Sequence, residues 1–218
     1  MIRLLSSVML LGWMQSAQAT DIIVDYRDRG FRDAKPSVAP DERTRLARVM
    51  AEEAPQALRT ELGPDSVVLG VAAGAFTRPG RRERVYLVQR TAPVASEPFP
   101  NAVAPVLVVL GDGAKARFFR LPKDVQYQRV AAAVDADRDG RSDVLLESGF
   151  YNMGESVTAL TAVKLDPGSG LATPAQVIRD VFTDSCDGGS ARKSRTASTL
   201  SLDAAGKLVT RRYRLTCR

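Results

Sequence analysis

Histidine is absent from all 218 residues, and this removes more chemistry than any motif adds. Without an imidazole there is no Ser-His-Asp or Cys-His catalysis and no zinc site of the usual imidazole type. Cysteine is nearly absent too. Cys186 and Cys217 are the whole inventory, and no Cys-x-x-Cys accompanies them, so a redox or nucleophilic thiol has little support. After the first twenty residues no apolar run approaches the roughly 18 needed to span a bilayer. Acidic charge is in deficit: the formal net charge is +6, carried largely by arginine. The basic clusters Arg78-Arg81-Arg82-Arg84 and Arg211-Arg212-Arg214 are nevertheless mixed with acids and fall in turns or alternating segments. They read as solvated faces, so no nucleic-acid partner is expected, and anionic polysaccharide or lipid headgroups remain the other partners that charge would suit.

What is present begins with a leader. Residues 1–19 combine Arg3, an apolar core from Leu4 to Trp13 and the small-residue site Ala17-Gln18-Ala19, the pattern of a secretory signal peptide. The mature chain is expected to start near Thr20, with no cysteine for lipid attachment and no transmembrane segment after cleavage. The location expected is periplasmic or secreted, in a Gram-negative bacterium. In that oxidising compartment Cys186 and Cys217 most simply pair, which is worth roughly 3 to 4 kcal/mol by loop-closure entropy.

Residues 20–64 read as a short strand, Ile22-Ile23-Val24, a charged loop with Pro36 and Pro40, and one helical segment over 41–62. Leu46, Val49, Met50, Ala54, Ala57, Leu58 and Leu62 recur on one face, Asp41 suits the N-cap, Pro55 should kink or split the helix, and Gly63-Pro64 stops it. Residues 65–218 read as β. Alternating or β-branched stretches run from Val67 to Phe76, Arg84 to Thr91, Val106 to Leu110, Ala116 to Leu121, Gln126 to Val134 and Val144 to Glu147. Four more follow, over Ser156 to Leu165, Ala175 to Phe182, Ala197 to Leu202 and Lys207 to Cys217, the last two joined by a hairpin turn at Asp203-Ala204-Ala205-Gly206. The stretch Pro93 to Pro105 reads as a long surface loop.

The most informative segment is Asp135-Ala136-Asp137-Arg138-Asp139-Gly140-Arg141-Ser142-Asp143. Ca2+ takes six to eight oxygens, and ligands at every second residue can surround one point if the chain turns sharply between them. Gly140 supplies the turn. Asp135, Asp137, Asp139 and Asp143 offer side-chain oxygens and Arg141 its backbone carbonyl. An EF-hand begins the same way but needs a bidentate Glu at its twelfth position, where this chain has Leu146. The flanks are also strand-like rather than helical. A phosphatase loop of the haloacid-dehalogenase type would not carry the third acid, Asp139, which repels phosphate. A glycosyltransferase Asp-x-Asp leaves Asp139, Gly140 and Asp143 unexplained. An ordinary Asp/Gly turn between strands stays open as an alternative. Ser190-Ala191-Arg192-Lys193 fits the Ser-x-x-Lys of penicillin-binding proteins, but no Ser-Asp-Asn or Lys-Thr-Gly follows.

A D-x-D-x-D-G-x-x-D loop between two strands resembles the calcium loop of FG-GAP repeats, known from integrin α-chain propellers, and of the related VCBS repeats of bacterial secreted proteins. The match covers Ala131 to Leu146 and is degenerate elsewhere. A fainter copy lies about 60 residues earlier, where Ala75, Thr77, Pro79 and Gly80 stand in place of Asp135, Asp137, Asp139 and Gly140. That spacing is similar to an FG-GAP blade. The resemblance implies blade-like units over about 66–121 and 126–182 and a C-terminal hairpin.

The fold expected is mainly β with one N-terminal helical segment, its antiparallel blade-like sheets forming a partial propeller or sandwich, since two units cannot close a propeller. The function expected is an exported protein with a structural Ca2+, acting as a non-enzymatic binding or envelope-assembly module. Its partner would be an envelope polysaccharide or another envelope protein. Phe150-Tyr151-Asn152 and Glu155, flanking the metal hairpin, either hold a sugar or peptide or form an ordinary turn around Gly149 and Gly154. The alternative is an envelope polysaccharide hydrolase using a carboxylate pair outside the calcium loop, drawn from Glu147, Glu155 or Asp184, because paired carboxylates cleave glycosides without histidine.

Overall fold

The computed structural model describes residues 21–217 apart from 36, 95, 97–100, 114 and 189–192. The expected leader, residues 1–19, lies outside the described residues, as do Ser190, Ala191 and Arg192 and part of the Pro93 to Pro105 stretch. The chain opens with β1 (Ile22–Asp25), α1 (Arg29–Asp33), α2 (Pro40–Glu52) and α3 (Gln56–Leu62). Four strands follow: β2 (Val67–Gly74), β3 (Glu83–Gln89), β4 (Val106–Gly111) and β5 (Arg117–Arg120). Four longer ones come next: β6 (Tyr127–Val134), β7 (Asp143–Asn152), β8 (Glu155–Asp166) and β9 (Leu171–Asp184). The hairpin β10 (Arg195–Leu202) and β11 (Leu208–Leu215) ends the chain. The protein is mainly β, with its helices confined to the N-terminal segment.

Strands β2 to β5 pair in sequence order as an antiparallel meander, and β6 to β9 do the same. One parallel pairing, Arg120 with Leu171, joins β5 to β9, so the two meanders are continuous in the order β2-β3-β4-β5-β9-β8-β7-β6. The sheet curls until its end strands meet. A Cβ on Gly70 of β2 would stand 3.0 Å from the backbone nitrogen of Val130 on β6, a close approach that glycine eases. The result is a nearly closed, barrel-like sheet with a seam between β2 and β6. Both end strands, which would otherwise offer unpaired edges, are turned toward each other.

Burial explains why several strands read as continuous apolar runs. Val85 and Leu87 of β3 and Leu107 and Val109 of β4 point into the barrel, where they meet Val144, Leu146, Val163 and Phe119. The alternate residues Tyr86, Val88, Val106, Val108 and Leu110 point outward and are covered by Leu46, Val49, Leu58 and Leu62 of α2 and α3. A strand buried on both faces cannot alternate with polar residues. The second meander is covered by a different layer: Leu145, Leu160, Ala162 and Ile178 pack against Val24 of β1, Ala197 and Leu200 of β10 and Leu208 of β11. Helices and hairpin thus cover the two outer faces.

Local signals account for the boundaries. Pro55 separates α2 from α3 and serves as the N-cap of α3, and Gly63 ends it at φ 73°. Asp41 is not the N-cap of α2. Ala39 holds that place and Pro40 is the first helical residue, with Asp41 and Glu42 in the first turn where their negative charge favours the positive end of the helix dipole. The short α1 replaces part of the loop expected before Pro36. Its Asp28 carboxylate accepts from the Gly30 amide, and Phe31 packs edge-on against Tyr26 with ring centroids 5.3 Å apart. Five residues are too few to show a helical period. Strand β7 is longer than expected and runs on to Asn152 because β8 pairs with it along its full length, Val144 to Val163 through Asn152 to Glu155. Near Asp180, at φ 54°, a register shift kinks β9, and its last residues, Phe182 to Asp184, pair with β8 on one side and β10 on the other.

Two ties hold the outer layer. The Cys186–Cys217 disulfide joins the β9–β10 connection to the chain just past β11. At the other end of the chain, the Tyr26 hydroxyl and the Arg129 Nε and Nη2 all donate to Oε2 of Glu147, at 2.7, 3.0 and 2.7 Å. Arg129 also donates Nη1 to the Phe31 carbonyl at 2.7 Å and lies over the Phe31 ring, so β1 and α1 are fastened to β6 and β7. Burial and the neighbouring Glu147 charge push the Tyr26 hydroxyl far above the ordinary phenol range, so it acts only as a donor.

Replacing both Cys186 and Cys217 by Ser should lower stability by about 3 to 4 kcal/mol in urea unfolding and raise hydrogen exchange first in β11. Glu147→Gln leaves a buried guanidinium without its countercharge and should cost about 3 to 5 kcal/mol by the same measurement. Loss below about 1 kcal/mol would mean that the pair does not hold the N-terminal layer.

Candidate metal centre

The loop between β6 and β7 is built by its own backbone amides. Asp135 Oδ2 accepts from the Gly140 amide at 2.9 Å, Asp137 Oδ1 from the Asp139 amide at 3.4 Å, and Asp139 Oδ1 from the Arg141 amide at 2.7 Å. Arg138 takes φ 60° and Gly140 φ 83°, which turns the chain sharply in the middle of the loop. These contacts bring carboxylate oxygens of Asp135, Asp137 and Asp139 within 4.8 Å of one another.

Asp143 is not part of that trio. It is the first residue of β7, buried, and its carboxylate accepts from the Ala136 amide. Burial pushes it up to about 6, with the nearby Asp137 and Asp139 charges adding to the rise and Lys164 opposing it. Arg141 turns its side chain back onto Asp139, with Nη2 to Oδ2 at 2.7 Å, and this pairing raises the guanidinium further above its ordinary value. Lys164 of β8 pairs with Asp137, and its hydrogen bond holds that carboxyl below the usual range. Two cationic side chains therefore offset two of the three clustered acids.

One atom is left without a partner. Asp135 Oδ1 is buried and accepts no hydrogen bond among the described residues. A buried carboxylate oxygen with nothing to bind costs desolvation energy without return. The donor set fits a hard cation: only oxygens, several of them anionic, at alternate positions of a turning loop.

The equivalent loop between β2 and β3 shows what the same backbone does without clustered acids. Glu83 is the first residue of β3, as Asp143 is of β7. Its Oε2 accepts from the Phe76 and Thr77 amides, both at 2.7 Å, and its Oε1 pairs with the Thr77 hydroxyl. That loop is closed by hydrogen bonds alone. The two loops lie side by side at the seam, where Ser142 donates its amide to the Ala75 carbonyl at 2.7 Å and its hydroxyl oxygen accepts from the Ala75 amide at 3.2 Å.

Sequence reading did not anticipate Lys164 or Glu83. Nothing local marks Lys164, which arrives from the next hairpin. Glu83 carried a signal, because it occupies in the fainter copy the place that Asp143 occupies in the clearer one. Phe150, Tyr151 and Asn152 are not beside the metal hairpin. They end β7, about 23 to 30 Å of extended chain from Asp143. Glu147 and Asp184 line one cavity, each paired with an arginine, Glu147 with Arg129 and Asp184 with Arg195. Glu155 begins β8 and does not itself line that cavity, although its neighbour Ser156 does.

No described helix is long and apolar enough to cross a membrane. The chain matches no family model, no curated protein and no solved structure.

Gly140→Ala should test how tightly the loop is built. The new Cβ would sit 2.9 Å from the Pro79 Cβ at a φ of 83°, so a loss of about 1 to 3 kcal/mol is expected by thermal or urea unfolding. A neutral result would show that the loop is free to move away from its neighbour across the seam.

Proposed function

We propose that this chain is an exported, periplasmic or secreted protein of the FG-GAP/VCBS type that binds one Ca2+ through the β6–β7 loop and works as a binding or envelope-assembly module, not as an enzyme. The observation that carries the reading is the buried, unpartnered Oδ1 of Asp135 within a trio of carboxylates. Asp135, Asp137 and Asp139 would hold the ion, with the Arg141 carbonyl and Asp143 as the further oxygens expected from the loop pattern. A cation supplies charge neutralisation that Lys164 and Arg141 provide only in part. The disulfide is in keeping with an oxidising compartment, as is the leader pattern of residues 1–19.

Bound metal stabilises whatever state it binds, so the ion in this reading acts through folding. A hydrolytic role for Glu147 and Asp184 draws on their shared cavity. It is the weaker reading, since each carboxylate already serves as countercharge to a guanidinium.

Melting in calcium and in chelator tests the assignment. The unsubstituted protein should melt higher by several degrees in about 1 mM Ca2+ than in chelator. Asp139→Ala should melt at one temperature in both, and Mg2+ should substitute poorly because it demands tight octahedral geometry. If chelator leaves the unsubstituted protein unchanged and calorimetry detects no calcium uptake, the metal assignment falls. If Asp139→Ala keeps its melting temperature but loses ligand binding or turnover, the ion contacts substrate and the hydrolase reading takes over.

A further inference from the structure

A cavity of about 860 Å3 lies between α1 and the far ends of β8, β9, β10 and β11, away from the loop between β6 and β7. From Thr158, which lines it, to Lys164 beside the loop is about 20 Å along β8. Six arginines line this cavity, Arg27, Arg29, Arg32, Arg129, Arg195 and Arg214, against three acids, Asp33, Glu147 and Asp184.

Most of that positive charge is already matched. Arg29 pairs with Asp33, Arg129 with Glu147, Arg195 with Asp184, and Arg27 with Asp25 just outside the lining. Two guanidiniums are not. Arg32 donates Nη1 to the carbonyls of Tyr26 and Arg27 and is stacked over the Phe182 ring at 4.9 Å, so its position is fixed while the rest of its fork has no acceptor among the described residues. Arg214 has no hydrogen-bond or ion-pair partner among the described residues. The cavity therefore carries an excess of two positive charges on side chains whose planar forks match carboxylate and phosphate oxygens. The same wall presents the hydroxyls of Ser156 and Thr158, the Gln128 amide and part of Phe182, a polar lining with one aromatic face.

We propose that this cavity is a ligand site for a sugar-sized polar molecule bearing a phosphate or carboxylate group, with the anion held by Arg32 and Arg214. The proposal rests on the binding-module reading above and not on calcium. Arg32 is the preorganised member, because stacking and two carbonyls hold it before any ligand arrives, and Arg214 is the adaptable one. The buried Arg129–Glu147 pair forms part of the wall and is not a ligand contact.

The test uses the full mature protein in calcium at low salt, titrated by calorimetry with glucose 6-phosphate, glucuronate and glucose. NMR of the arginine Nε–H groups is followed in parallel. At least one of the two anionic sugars should bind saturably below about 10 mM and shift the Arg32 and Arg214 signals, while glucose should do neither. Which anion binds identifies phosphate or carboxylate as the source. Arg214→Gln, on an exposed strand position, should weaken binding about tenfold or more without changing the melting temperature, and added salt should weaken it further. Arg214→Lys should recover only part of the affinity, since it restores charge without the fork.

Absence of saturable binding by both anions at about 10 mM would overturn the proposal. So would equal binding of glucose, or binding that Arg214→Gln leaves untouched. Calcium-dependent melting is recorded on the same samples. Loss of anion binding with the calcium shift intact sinks the cavity alone, and the reverse sinks only the metal assignment.

Discussion

One carboxylate oxygen, Oε2 of the buried Glu147, receives three hydrogen bonds, and the N-terminal layer depends on it. A buried ion pair returns its desolvation cost only when the remaining donors are also satisfied. Here they are. Arg129 spends its third nitrogen on backbone carbonyls of the α1 region and its flat face on Phe31, while Tyr26 adds a neutral donor from the chain just past β1. The pair thereby converts a charge buried in β6 and β7 into a clamp on a segment that contributes few apolar residues of its own, chiefly Val24 and Tyr26. It also fixes α1 at the rim of the arginine-lined cavity, which is where Arg32 acquires its stacked position over Phe182.

The two loops at the seam are a comparison within one molecule. Each follows a strand at the sheet's end, each is closed at the first residue of the next strand by an acid, and each acid accepts from a loop amide: Glu83 from Phe76, and Asp143 from Ala136. In the first loop, hydrogen bonds to one carboxylate suffice. In the second, three further carboxylates stand close together, two are countered by Lys164 and Arg141, and one keeps a buried oxygen with nothing to accept from. Adding acids to a loop that already closes without them makes the apo loop worse by like-charge repulsion. That cost is intelligible if a cation enters, since the same repulsion then becomes affinity.

Much of this was readable from the chain because it depends on local chemistry. Pro55 and Gly63 mark the helix boundaries by backbone restriction, and the apolar run at β4 announces a strand buried on both faces. The alternate aspartates announce a turn that gathers oxygens. What could not be read depends on contacts between distant segments. Lys164 reaches Asp137 only because β8 pairs with β7 in one register. Tyr26, Arg129 and Glu147 lie in three separate segments, the turn after β1, β6 and β7. Arg214 belongs to a basic cluster that read as a solvated face, and the other arginines of the cavity carried no local signal. Only the pairing of strands shows that Arg32 and Arg214 share one concavity while the acids around them are already engaged.

The geometry also separates the two sites mechanically. The metal loop sits where β7 begins and β8 ends, pressed against the β10–β11 turn, since a Cβ on Gly206 would stand 2.4 Å from the Ala136 carbonyl oxygen. The cavity lies toward the other ends of β8, β10 and β11, near the disulfide. Between them run paired strands with a packed core on each side, and such a body transmits changes of stability more readily than changes of shape. An ion in the loop would draw Asp135, Asp137 and Asp139 together and release Lys164, a rearrangement confined to the loop and one side chain. The arginines at the far end keep their neighbours throughout. Their positions depend on the Glu147 clamp and the hairpin pairing, and a cation in the loop would reach them only by making the whole sheet harder to open.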